Sequence, residues 1–252
     1  QVILLGDADQ LPSVAAGSVL NDLAPKPHLG YSRENQLYLT QITGISHLPK
    51  KRNSAKSAVL PADHLVLLEK SRRFDGKGGI GQVASHVING RFNESWQLFE
   101  QSVASDNKSA QTLQLLQGKP HEWLTELVDK YYAPLFSKQT LAGAFTQLQQ
   151  FRILSATRVG PQGVESLNAQ VEDILIKRGD INAFDTRYHG QPIMINVNNY
   201  TLGLYNGDIG LMWKNDEGHL MAVFEQADNA YKWVNPARLP EHETVYAMTI
   251  HK

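Results

Sequence analysis

Three stretches of this sequence hold groups suited to gripping or sensing phosphate, and a fourth is set apart by its turns and amides. The first begins as Val2 to Leu5, an apolar run without alternation, the pattern of a strand buried on both faces of a parallel sheet. It ends in the polar turn Gly6-Asp7-Ala8-Asp9-Gln10, at the carboxyl edge where open α/β sheets hold their ligands. Gln10 offers an amide that both donates and accepts. The second stretch, Lys70-Ser71-Arg72-Arg73-Phe74, sets two guanidinium groups side by side. Such a planar, permanently charged fork suits a phosphoryl group whose charge spreads over several oxygens. In the third, Ser155-Ala156-Thr157-Arg158-x-Gly160-x-x-Gly163-Val164-x-x-Leu167-Asn168, a strand ends in small and hydroxyl residues and a glycine turn opens a helix. The first N–H groups of a helix bind phosphate well. The fourth runs from His189-Gly190-Gln191-Pro192 through Asn198-Asn199 and Leu204-Tyr205-Asn206-Gly207-Asp208-Ile209-Gly210 to Tyr246 and on to His251-Lys252.

Each stretch also has a plainer reading. Gly6 to Gln10 is an ordinary link between strand and helix, Arg72 and Arg73 are surface charges, and Asn206-Gly207 is a hairpin turn. Lys50, Lys51 and Arg52 read as a solvated loop. The glycines after Ser155 lack the spacing of a nucleotide-binding fingerprint, and no Gly-x-x-x-x-Gly-Lys-Ser/Thr loop occurs. The nine histidines show no ligand spacing, and the absence of cysteine removes disulfides and thiolate metal sites, so no metal site is expected. Cysteine usage fits a reducing cytoplasm. No apolar run approaches a membrane span, so a membrane partner is not expected. A formal net charge of −1 argues mildly against non-specific electrostatic binding of nucleic acid. A local groove or partner subunits can still supply that binding.

The elements that must position these residues follow from periodicity. Ser13 to Ala24 is compatible with a short helix, and residues 25–61 read as a loose surface connection. His64 to Leu68 is a short apolar strand. Ile80, Val83, Ala84, Val87 and Ile88 have the i, i+3, i+4, i+7, i+8 spacing of an amphipathic helix closed by Asn89-Gly90. Ser95 to Gly118 is weaker, with helical character near Leu113 and Leu116. After Pro120, one helical face carries Leu124, Leu127, Val128 and Tyr131, and a second Leu141, Phe145 and Leu148. Phe151 to Ser155 is a buried strand, followed by a helix whose face is Val164, Leu167, Val171, Ile174 and Leu175. Strands separated by helices indicate a parallel α/β sheet. From Pro192 the period changes to short strands separated by Asn206-Gly207, Glu217-Gly218 and Asp228-Asn229, a small antiparallel barrel or sheet, before Thr244 to Ile250 returns to the parallel style.

Gly6-Asp7-x-x-Gln10-Leu11, followed by Ser13-Val14-x-x-Gly17, closely resembles motif III of the superfamily-one DNA helicases. Taken whole, the chain is most similar to their RecD-like 5′→3′ branch. The resemblance implies an α/β fold, a RecA-like parallel-sheet (P-loop NTPase-type) helicase domain with a small inserted SH3-like barrel. Residues 1–62 would end the first motor domain and connect onward. Residues 63–185 with 244–252 would form the second motor domain, and 186–243 the barrel. By the same resemblance Gln10 senses the γ-phosphate of ATP, with Gly6 and Asp7 beside it. Arg73 is the motif IV arginine entering the nucleotide cleft, while Arg72 departs from the tyrosine usual there. Thr157 and Arg158 become contacts to the backbone of single-stranded DNA, Asn168 and Asn198 weaker ones, and His251 and Lys252 open motif V. The family's ATP and Mg²⁺ are implied for a longer parent, together with RecB-like and RecC-like subunits. The phosphate-binding loop, the Asp-Glu of motif II and motif VI are expected outside these residues, so the chain reads as a fragment.

Two rivals stand beside this reading. One is a freestanding or relaxase-associated helicase of the same branch. The other is a non-motor module binding single-stranded DNA through aromatics such as Trp213, Trp233 and Tyr231. With the phosphate sensor but no phosphate-binding loop, the isolated chain is expected to hydrolyse no ATP, even with single-stranded DNA. Robust DNA-stimulated turnover by the pure chain in a phosphate-release assay would refute this.

Overall fold

The computed structural model describes residues 2–7, 22–24, 28–49, 60–68, 79–104, 113–138, 140–227 and 230–250. The chain divides into two units, Gln1–Leu115 and Leu116–Lys252. No helix among the described residues is long and apolar enough to cross a membrane.

In the first unit, helix α1 (Arg33–Thr43) starts at Ser32, whose hydroxyl accepts the N–H of Asn35 at 3.2 Å, and stops at Gly44 in the left-handed region at φ 70°. This helix lies where the sequence suggested a loose connection. Its caps are legible, but none of its residues is buried, so no apolar face announced it. Hydrogen bonds lace the segment before it to residues 60–65. Tyr31 donates its hydroxyl to Leu65 O at 2.8 Å, and Ala62 N–H reaches Gly30 O at 2.9 Å. Asp63 accepts the Ser32 N–H at 2.7 Å, which holds its carboxyl below the usual range. Helices α2 (Gly79–Ile88) and α3 (Phe92–Ala104) join through Asn89-Gly90, with Gly90 at φ 68°. The expected helix is therefore present as α2. Regular helix around Leu113 and Leu116 is absent, the next helix being α3 instead.

Two expected strands do not form. Val2 to Leu5 runs without ladder partners and exposes each side chain by 64 to 92 %. His64 to Leu68 is turn and coil, with Val66 and Leu68 exposed. A parallel strand needs neighbours for its N–H and C=O groups and for both its faces. No described residue of this unit supplies them.

In the second unit α4 (Pro120–Leu127) opens with proline at its start, where the missing N–H costs nothing. It continues into a π-helical turn, Val128–Tyr132, and then α5 (Ala133–Phe136). Pro134 cannot donate to the carbonyl four residues back, and the turn before it widens so that Ala133 N–H reaches Val128 O. Helix α6 (Leu141–Gln149) is capped by Thr140, which accepts Gly143 N–H at 3.2 Å. Helix α7 (Val164–Arg178) buries the face read from the sequence, Val164, Leu167, Val171, Ile174 and Leu175. It ends at Gly179, φ 82°.

The short strand β1 (Ile153–Ser155) pairs in parallel with β7 (Ala247–Thr249), Leu154 opposite Met248. Between them in sequence lie β2 (Pro192–Ile195), β3 (Ile209–Lys214), β4 (Leu220–Glu225), β5 (Tyr231–Val234) and β6 (His242–Thr244). These five form one antiparallel sheet in the order β5-β4-β3-β2-β6. Among the described residues no ladder joins β5 to β6, so this is an open sheet and not a closed barrel. Both of its faces are buried. Leu211, Trp213 and Val223 pack with the helices, whereas Ile193, Ile195, Met212, Ala222, Phe224 and Val234 form a second cluster capped by Leu204.

Three buried tyrosines tie the helices to the β6–β7 link. Tyr132 donates to Tyr246 O at 2.6 Å, and Tyr188 donates to Glu172 at 2.7 Å. Because that proton is committed, Tyr246 donates its own to the Tyr188 oxygen at 3.2 Å. Burial pushes the Tyr132 phenol up to about 12 and raises those of Tyr188 and Tyr246 above the ordinary range. In the unfolded chain these phenols ionise near 10. Their contribution to stability is complete below that pH and declines as pH rises through the folded values. The Tyr132 share alone is roughly 3 kcal/mol. Ultraviolet titration should show these three of the nine tyrosines ionising only as the fold opens above pH ~10. Smooth ionisation of all nine in a still-folded chain would contradict the network.

Candidate nucleic-acid interface

The loop between β1 and α7 is built by one hydroxyl and one glycine. Ser155 Oγ accepts the Thr157 N–H at 3.2 Å and lies 2.7 Å from Gln162 O and 3.0 Å from Thr157 O, either able to take its proton. At Gly163 a Cβ would stand 2.6 Å from Arg158 O and from Val159 C, so only glycine lets the loop cross the helix start. That crossing brings two carbonyls onto the first helical N–H groups. Val164 N–H donates to Thr157 O at 3.1 Å and Glu165 N–H to Arg158 O at 3.2 Å. A phosphate arriving here would meet donors already engaged. The helix start is thus a self-capped turn, unlike the open anion cradle its sequence suggests.

Arg158 is surface-exposed and held between two carboxylates. It donates to Glu243 at 2.6 Å and lies 3.4 Å from Glu165. Both partners, Glu243 foremost, raise its already high pKa, so it is a permanent cation. Contact with a DNA phosphate would exchange one anion for another. Asn168 faces inward. Its amide nitrogen donates to Thr244 O at 3.0 Å and to Ala247 O at 3.2 Å, and its oxygen accepts Ala247 N–H at 2.8 Å. Its hydrogen-bonding capacity goes to the strand link, so its geometry is that of a positioning residue. One surface therefore brings Thr157, Arg158 and the β6 residue Glu243 together, with Asn168 beneath.

Asn198 belongs to the loop between β2 and β3, where its oxygen accepts the Asn206 N–H at 2.8 Å. At the head of the fourth stretch His189 packs its ring 4.1 Å from Trp213 and accepts the Lys214 N–H at 3.1 Å. Burial, then the Lys214 charge, lower its pKa and keep it neutral. Of the aromatics considered for base stacking, Trp213 is only 7 % exposed and Tyr231 stacks on Phe145, whereas Trp233 is 43 % exposed. Gly6 and Asp7 lie in the exposed segment that follows Leu5. Gln10, Arg72, Arg73, His251 and Lys252 lie outside the described residues, as does the run Lys50 to Arg52.

No family model matches the chain. Over its whole length it is 31 % identical to the RecBCD enzyme subunit RecD of Haemophilus influenzae, covering 40 % of that protein. It is 30 % identical to the subunit of the same name in Mycobacterium tuberculosis, covering 37 % of it, and 25 % identical to that of Buchnera aphidicola, covering 42 %. Its similarity to RecD subunits runs over the whole chain. The chain spans about two fifths of the length of these relatives. A solved structure of unliganded Pif1 from Bacteroides sp. aligns with 55 % of the chain and 42 % of its own at 13 % identity, with a TM-score of 0.21, too low to bear on the fold.

The sequence missed two relationships in this surface. Glu243 lies 85 residues from Arg158, and no local pattern couples them. Asn168 sits among the polar positions of α7, where an inward amide looks like any solvated one. If Asn168 positions the link, Asn168→Ala leaves the buried Ala247 N–H without a partner and costs about 1–3 kcal/mol. Thermal unfolding should shift down accordingly. An unchanged melt with weakened single-strand binding would make it a DNA contact instead.

Proposed function

We propose that this chain is part of an ATP-dependent 5′→3′ DNA helicase subunit, the alpha chain of an exonuclease V complex working in recombinational repair and DNA end processing. The observation that carries the proposal is similarity to RecD subunits along the whole chain. The parallel pairing of β1 with β7, which precede and follow the antiparallel sheet in sequence, supports joining the stretches before and after that sheet into one motor domain; that this second motor domain comprises residues 63–185 and 244–252 rests on the resemblance. The sheet itself supports an inserted SH3-like module at 186–243, because after the four-strand meander β2 to β5 the chain returns as β6 to the free edge of β2. Residues 1–62 then complete the first motor domain.

The described residues do not build a nucleotide site. The sequence has no glycine-lysine phosphate loop, and the glycine turn before α7 engages its N–H groups internally. ATP and Mg²⁺ are accordingly cofactors of the proposed parent, where Gln10 and Arg73 are this chain's contribution. The nucleotide supplies the free energy of phosphoryl transfer. Single-stranded DNA crosses the Thr157-Arg158 loop, with Asn198, His251 and Lys252 as further contacts. RecB-like and RecC-like subunits complete the assembly. A freestanding RecD-like helicase would use the same residues without those partners.

The test uses the full-length protein. Arg73→Ala should lower DNA-stimulated ATP turnover by roughly 10³–10⁵-fold while single-strand binding persists. Unchanged turnover, or a full-length protein without ATPase, would sink the proposal.

A further inference from the structure

Tyr200 and Tyr205 belong to neither hydrophobic cluster, yet the chain that carries them is held by several hydrogen bonds. The loop from Asn198 to Gly207 turns Leu202 and Leu204 inward onto the outer face of the antiparallel sheet. Its two tyrosines point outward, 77 % and 51 % exposed. Their ring centroids are 6.1 Å apart at 74°, an edge-to-face pair. Asn199 and Leu204 exchange two backbone hydrogen bonds, and Asn199 Oδ1 accepts Leu202 N–H at 3.0 Å. Asp208 accepts Tyr205 N–H at 2.7 Å and Asn198 accepts Asn206 N–H at 2.8 Å. From β5, the Lys232 ammonium donates to the carbonyls of Leu202 and Gly203. The Asn198 amide reaches the Tyr200 hydroxyl at 3.4 Å.

From this geometry we infer that the Tyr200–Tyr205 pair is a stacking platform for unpaired bases of single-stranded DNA, which rests on the helicase reading above. Every base offers a π-face, so stacking needs no sequence readout. Rings already fixed on a braced backbone lose little freedom when a base arrives. Leu202 and Leu204 pack onto the sheet, and the other exposed side chains of the loop are polar, Asn198, Thr201 and Asn206, with Val197 before it 49 % exposed. A protein interface would call for a contiguous apolar centre, which this loop does not present. Bases flanked by sugar and phosphate match isolated rings set among polar groups. Of the three aromatics the sequence offered for this task, Trp213 is buried and Tyr231 stacks on Phe145, while Trp233 remains exposed on β5.

The experiment uses the full-length protein carrying this chain and oligothymidylate containing 5-iodouracil. Irradiation should cross-link the oligonucleotide to Tyr200 or Tyr205. By fluorescence anisotropy, Tyr200→Ala and Tyr205→Ala should each weaken single-strand binding by roughly 5- to 150-fold. The phenylalanine variants, which keep the rings, should bind as the parent does. Alanine variants that bind normally, with cross-links elsewhere, overturn the platform and leave the helicase reading standing. Normal DNA binding by variants that no longer associate with RecB-like or RecC-like subunits also overturns it, in favour of a protein contact. A parent that binds no single strand at all removes both.

Discussion

The second unit depends on one constraint: the chain must cross from the antiparallel sheet to the parallel pair through its own interior. Val245, Tyr246 and Ala247 are buried, so each of their peptide groups needs a partner inside the protein. Val245 N–H goes to Pro192 O at 3.0 Å, and its carbonyl receives the Arg152 guanidinium. The Tyr246 carbonyl takes the Tyr132 hydroxyl and the Ile153 N–H. Ala247 is held at both N–H and C=O by Asn168. Four separate elements thus converge on three residues. Leaving any one of these groups unpaired costs more than an average hydrogen bond contributes, because water cannot take its place.

The same crossing explains how the candidate surface is assembled. Asn168 fixes the link between β6 and β7, and β6 carries Glu243 to Arg158. The charge of Arg158 is therefore balanced from the antiparallel sheet as well as from the helix that follows its loop, at Glu165. Exposed pairs of this kind contribute little to stability and are screened by salt.

Legibility varied with how much each segment depends on distant partners. The face of α7 was readable because five apolar residues at helical spacing bury themselves against whatever lies beneath. The strands from Pro192 to Val234 were readable because Gly207 and Gly218, at φ 94° and 82°, punctuate them. Val2 to Leu5 was misread because an apolar run becomes a strand only when neighbours pair with it. Helix α1 was missed for the opposite reason, having clear caps at Ser32 and Gly44 but no buried face. The exposure of Tyr200 and Tyr205 was not readable at all, since it follows from which loop residues fold inward. The anchoring of Asn168 depends on contacts made 76 and 79 residues away.

The roof over the outer face of the antiparallel sheet has an evolutionary corollary. Leu204 closes the cluster around Met212 and Phe224, so the segment that carries it is part of the core despite lying between strands. Lengthening or shortening it would lift that lid and wet the sheet beneath. Among related chains, insertions and deletions should therefore gather at the hairpin of Asn215 to Gly218 and avoid the longer, seemingly more permissive connection before Ile209.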